Sequence, residues 1–176
     1  MQTSTSNENR IQRAHLSRNT PPRTRVGIAD YAVTTTSGVL STSGLGSCLC
    51  IVLVDESTTV AGLLHAMLPE ATPEHTSPAK FVDTGIEAML TAMREAGATP
   101  TGVTAKIVGG STMLELTSTD GSIGERNVDA TRTALGALGI PIVAEDVGGT
   151  HGRSVRFDVE TGDLRVKTAY HGEQIL

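Results

Sequence analysis

The stretch Cys48-Leu49-Cys50-Ile51-Val52-Leu53-Val54-Asp55-Glu56-Ser57-Thr58-Thr59-Val60-Ala61-Gly62-Leu63-Leu64-His65-Ala66-Met67-Leu68 decides the reading of this chain. Two runs rich in Leu, Ile and Val, Cys48–Val54 and Thr59–Leu68, are joined by the polar Asp55-Glu56-Ser57-Thr58. That is the pattern of two strands and a tight hairpin. Apolar residues fill alternate and intervening positions, so both strands are expected mid-sheet with both faces covered. A turn centred on Glu56 and Ser57 pairs Asp55 with Thr58 and Val54 with Thr59. Carried along the ladder, this register sets Cys48 directly across from His65. Residues so opposed share a face with Cβ atoms roughly 4.5–5.5 Å apart, and a one-residue slip would part them. The spacing therefore predicts a thiol facing an imidazole.

Such a pair has a chemistry. A thiol of ordinary pKa is only partly ionised at neutral pH, and an adjacent imidazolium favours the thiolate. The thiolate can attack a carboxamide carbon, the imidazolium can protonate departing ammonia, and water activated by the neutral ring can hydrolyse the thioester. A third group must hold the ring. Thr42, six residues before Cys48, can do so through its hydroxyl or its carbonyl. Between them lies Ser43-Gly44-Leu45-Gly46-Ser47, whose glycines permit close backbone approach and N–H groups aimed at an oxyanion. Cys50 reads as core, and His75 and His151 read as loop residues.

Outward from the hairpin, Val26–Ala29, Tyr31–Thr34 and Gly38–Ser41 read as short strands or strand ends. Further strands are predicted at Val103–Val108, Ile142–Asp146, Ser154–Asp158 and Leu164–Thr168, with Thr161-Gly162-Asp163 turning between the last two. Two helices are signalled. Ser77 and Pro78 open the first, whose stripe is Val82, Ile86, Met89, Leu90 and Met93 before Gly97. Ser122-Ile123-Gly124-Glu125 opens the second with capping-box spacing, and Gly139 and Pro141 stop it. The fold class is α/β, a single-domain layered sandwich of mixed or antiparallel sheets with two main helices.

The chain has 176 residues, 38% of them hydrophobic, with Tyr31, Phe81, Phe157 and Tyr170 its aromatic residues. The core must come from aliphatic side chains. Residues 1–24 read as a flexible tail bearing Arg10, Arg13, Arg18 and Arg23, and residues 25–176 as the domain. The net charge of -5 rests on an acidic body, which argues against nucleic acid as a partner. Two cysteines one residue apart offer no disulfide framework and no zinc pattern, and no carboxylate or histidine cluster calls for a metal or cofactor. No apolar run is long enough for a membrane span and the polar N-terminus is no signal peptide, so a cytoplasmic location is expected.

The run Gly44-Leu45-Gly46-Ser47-Cys48, followed by a strand ending at Asp55 and then His65, resembles the chemoreceptor glutamine deamidase family, CheD. The resemblance extends through Val82-Asp83-Thr84-Gly85-Ile86 and Lys106-Ile107-Val108-Gly109-Gly110. It continues in Ile123-Gly124-Glu125-Arg126-Asn127-Val128, Ala144-Glu145-Asp146-Val147-Gly148-Gly149 and His151-Gly152-Arg153. It implies Cys48 as nucleophile, His65 as catalytic histidine and Thr42 as the matching threonine. It further implies a cytotoxin deamidase-like sandwich, hydrolysis of receptor glutamines to glutamates, and a CheC-type phosphatase as partner. A cysteine protease or transglutaminase-like acyl transferase would use the same pair with a different leaving group or acceptor. A non-catalytic adaptor that only binds the phosphatase need not keep all three residues.

Overall fold

A computed structural model of the chain describes residues 21–74, 76–113 and 121–176. Most of the stretch read as a tail, and His75, lie outside the described residues. The strands are β1 (Arg23–Arg25), β2 (Asp30–Thr34), β3 (Val39–Leu45), β4 (Leu49–Asp55), β5 (Val60–Ala66), β6 (Val103–Gly109), β7 (Ile142–Val147), β8 (Arg153–Asp158), β9 (Leu164–Thr168) and β10 (Gly172–Ile175). The helices are α1 (Val82–Glu95) and α2 (Ile123–Ala137). β1 begins at Arg23, inside the segment read as tail, and Val26–Ala29 forms no strand.

These strands make two sheets. The first runs β1-β3-β8-β9-β10 and the second β2-β5-β4-β6-β7. Pairing is antiparallel except for β1 with β3 and β6 with β7, so both sheets are mixed. β8 and β9 alternate cleanly. Val155, Phe157, Leu164 and Val166 face inward, while Ser154, Arg156, Arg165 and Lys167 face out. β4 and β5 are buried along nearly their whole length because each has a covered layer on both sides.

One face of the second sheet packs on the first sheet through Cys50, Val52, Leu63, Val108, Val155, Phe157 and Val166. Its other face, with Ile51, Leu53, Leu64 and Ile107, takes α1 and α2. The result is three layers with two cores. Truncating Leu64, fully buried against α1, to alanine would cost about 2–5 kcal/mol.

Helix starts follow local chemistry in part. At α2 the Ser122 hydroxyl accepts from the Glu125 N–H (3.2 Å), and the Ser122 N–H donates to the Glu125 carboxylate (2.9 Å), completing the capping box. At the first helix Ser77 precedes a 3-10 turn, Pro78–Lys80, and makes no side-chain cap bond; α1 itself starts after Phe81.

The hairpin register differs from the sequence expectation. Asp55 pairs with Val60 and Cys50 with His65, so the loop has four residues and Cys48 is not directly across from His65. The cause lies in Asp55, which is fully buried. Its carboxylate accepts from Ser57 N–H (3.0 Å), Ser57 Oγ (2.6 Å), Thr99 N–H (2.6 Å) and Thr99 Oγ1 (2.8 Å). Those bonds widen the turn and push Thr59 to φ 58°, an unusual conformation for a β-branched residue. The ladder moves by two positions, and an even shift leaves each side chain on its expected face.

Candidate active site

β3 belongs to the first sheet and β4 to the second, so the chain crosses between layers through Gly46-Ser47-Cys48. Cys48, half-buried, lies against the core between the sheets, and His65 opens into the same layer. Continuing the observed register would put Cys48 across from Met67. That extension sets Cys48 on the face that His65 shares with Cys50, two positions along from it.

The crossover brings Thr42 of the first sheet onto His65 of the second. Thr42 Oγ1 donates to the Val26 carbonyl at 2.8 Å and lies 2.7 Å from His65 Nδ1. A hydroxyl has one proton, and this one is spent on Val26, so Thr42 must accept from Nδ1–H. The neutral ring therefore carries its proton on Nδ1 and keeps a lone pair on Nε2. Nε2 is buried and without a hydrogen-bond partner among the described residues. The hydroxyl, not the carbonyl, is the group of Thr42 that meets the ring.

Burial lowers the pKa of His65 and raises that of the Cys48 thiol, the latter opposed by Cys48's own backbone N–H. Both directions favour the neutral thiol and imidazole, whereas the sequence reading expected an imidazolium that favours the thiolate. Cys50, fully buried, is pushed well above the usual thiol range by desolvation and has no access to a substrate.

The loop that carries Cys48 is held from three sides. Gly44, at φ 77°, forms the irregularity in the β3–β8 ladder, one residue before β3 ends at Leu45. Gly110 N–H donates to the Cys48 carbonyl at 2.9 Å, and a Cβ on Gly109 would stand 2.3 Å from that oxygen. Ser111 N–H donates to the Gly46 carbonyl at 2.8 Å. Gly109 and Gly110 are thus packed on the Cys48 backbone.

Two further groups were not singled out from sequence. Asn127, fully buried on α2, donates from Nδ2 to the Ser47 carbonyl (2.8 Å) and to the Met67 carbonyl (2.9 Å). One amide thus ties the residue before Cys48 to the strand end beyond His65. The signal was there: a polar residue on the same buried face as Thr131 and Leu135. Arg153, also buried, donates to Asp146 at 2.8 and 3.1 Å, to Ser111 Oγ at 2.7 Å and to the Gly148 carbonyl at 2.9 Å. Burial works against the charge of Asp146, but the hydrogen bond and charge of Arg153, with smaller help from Gln174 and His151, together hold the pKa low. His151, read as a loop residue, packs its ring 4.8 Å from that of His171.

A three-layer α/β protein whose inter-sheet edge holds a thiol, an imidazole and a hydroxyl is the class this fold and site define. Residues 67–168 match the family described as CheD chemotactic sensory transduction. A "Probable chemoreceptor glutamine deamidase CheD" from Haloarcula marismortui is 50% identical over 85% of this chain and 87% of its own length. Proteins of the same name from Caldanaerobacter subterraneus subsp. tengcongensis and Pyrococcus abyssi are 49% and 45% identical, over 84% and 86% of this chain and 94% of each relative. The chain belongs to the CheD family. The crystal structure of the Bacillus licheniformis hypothetical protein YfiH aligns with a TM-score of 0.47 at 15% identity, over 81% of this chain and 70% of that one. No helix among the described residues is long and apolar enough to cross a membrane.

Proposed function

We propose that this chain deamidates glutamine side chains of chemoreceptors, with Cys48 as nucleophile, His65 as base and Thr42 as the residue that orients the ring. The observation that carries the reading is the buried Nε2 lone pair left by the Thr42–His65 bond, on the face shared with Cys48. Nε2 takes the thiol proton as sulfur bonds to the carboxamide carbon. The imidazolium returns a proton to nitrogen, the C–N bond breaks and ammonia leaves a thioester. Water then adds as Nε2 takes its proton, the C–S bond breaks, and glutamate and the free thiol are restored.

The names of the relatives support a receptor as substrate. A CheC-type phosphatase as partner rests on the family resemblance alone, and a cytoplasmic setting fits a family described as chemotactic sensory transduction. The test is mass spectrometry of a chemoreceptor cytoplasmic domain incubated with the protein or with Cys48→Ala. The expected result is conversion of particular glutamines to glutamates by the parent alone, without backbone cleavage. Conversion at the parental rate by Cys48→Ala would remove Cys48 from the mechanism, and peptide-bond cleavage would favour the protease reading.

A further inference from the structure

The outer face of the first sheet carries a charge opposite to that of the protein as a whole. A cavity of about 390 Å³ there is lined by Arg25, Arg156, Arg165 and Lys167 with Glu173 as the one carboxylate, in a chain of net charge -5. The register makes the cations neighbours. Arg25 lies beside Ser41, Ser41 beside Arg156, and Arg156 directly across from Arg165, while Lys167 is across from Ser154. Like charges directly opposed across strands are destabilising, so this face costs the fold something. Arg165 has a loose contact to Glu173 at 3.5 Å, and Arg25 donates to Ser43 Oγ at 3.1 Å. Arg156 and Lys167 have no ion pair or side-chain hydrogen bond among the described residues. Glu173 lies directly across from Lys167, so Arg156, with Arg165 and Ser41 as its cross-strand neighbours, is the cation most open to an outside anion.

The layout separates possible anions. From β1 to β9 the cations spread over three strand intervals, about 14 Å, too wide for one phosphate group. The cavity walls are open strands rather than a glycine-rich loop or a helix N-terminus, the usual cradles for phosphate. The acidic remainder of the protein disfavours a long nucleic acid. Guanidinium groups interleaved with the hydroxyls of Ser41, Ser43 and Ser154 suit a row of carboxylates on a protein surface.

The face also adjoins the site. Thr42 contributes to this cavity while its hydroxyl turns inward to His65, and Ser43 stands five residues before Cys48, at most about 17 Å along the chain. Three turns of a helix cover about 16 Å. We infer that the basic outer face of the first sheet docks an acidic stretch of the protein substrate, holding it while a glutamine on the same segment reaches Cys48. This rests on the proposed glutamine deamidation.

The test compares the parent with Arg156→Glu/Lys167→Glu on a receptor cytoplasmic domain and on a short glutamine peptide free of acidic residues. The expected result is a KM on the receptor domain raised roughly 10-fold with kcat kept, a weaker salt dependence of kcat/KM, and unchanged turnover of the peptide. Polyglutamate should raise the parent's KM, and inorganic phosphate at equal ionic strength should not. An unchanged KM on the receptor domain overturns the inference. So does competition by phosphate equal to that by polyglutamate, or a charge-dependent gain in binding to phosphatidylglycerol vesicles with receptor KM unaltered. If neither protein deamidates the receptor domain, the proposed function fails, and the docking face is judged by titrating that domain into each. Weaker binding to the charge-reversed variant supports it, and equal binding overturns it.

Discussion

Thr42 Oγ1 and His65 Nδ1 meet at 2.7 Å across two different sheets, and the threonine's proton is already given to the Val26 carbonyl. One hydroxyl thereby fixes both the tilt and the tautomer of the ring. Thr42→Val, which keeps the shape and removes the hydroxyl, should lower kcat roughly 100-fold, because a mistaken tautomer puts a proton where the base needs a lone pair. Thr42→Ser should retain most activity. Equal turnover by Thr42→Val and the parent would show that the hydroxyl does not set the ring.

The acid limb of the pH profile should report His65. Burial lowers its pKa, so the midpoint is expected below the ordinary value of about 6.5. The sign for stability is the same. A buried neutral histidine adds stability above its unfolded pKa, and that contribution is lost as pH falls and the ring must charge. A kcat/KM profile with its acid midpoint above 6.5 would contradict this, since it would require an environment that favours imidazolium.

Asn127→Ala should separate positioning from folding. Losing both N–H donors leaves the Ser47 and Met67 carbonyls unsatisfied and should cost about 1–3 kcal/mol in urea unfolding. It should also lower kcat with little change in KM, and slow alkylation of Cys48 at fixed pH. Native alkylation and kcat in a destabilised variant would make the residue a structural brace alone.

Asp55→Asn should loosen the hairpin that sets the register. Hydrogen bonds from Ser57, with further ones from Thr99, hold this buried carboxyl well below the usual carboxylate range. Its contribution is present above the unfolded carboxylate pKa and lost as pH falls through the lowered folded one. The expected cost at neutral pH is about 2–4 kcal/mol, with most of the difference between variant and parent disappearing in strong acid. A stability gap that stays constant down to pH 2 would rule out the carboxylate as its source.

The sequence by itself determined the elements that local rules control. Leucine, isoleucine and valine runs marked β4 and β5, the spacing of Ser122 and Glu125 marked the start of α2, and parity placed Cys48 and His65 on one face. Tertiary structure decided what depends on distant partners. The hairpin pairing was reset by bonds from Asp55 to Thr99, which lies 44 residues away. Thr42 reaches the imidazole only because the chain changes sheets after β3, and Asn127 serves the Cys48 loop only because α2 packs behind it. Periodicity fixes which way a side chain faces, since that is a property of the local backbone. Which atom it meets is fixed by loop lengths and layer packing, which no short window of residues contains.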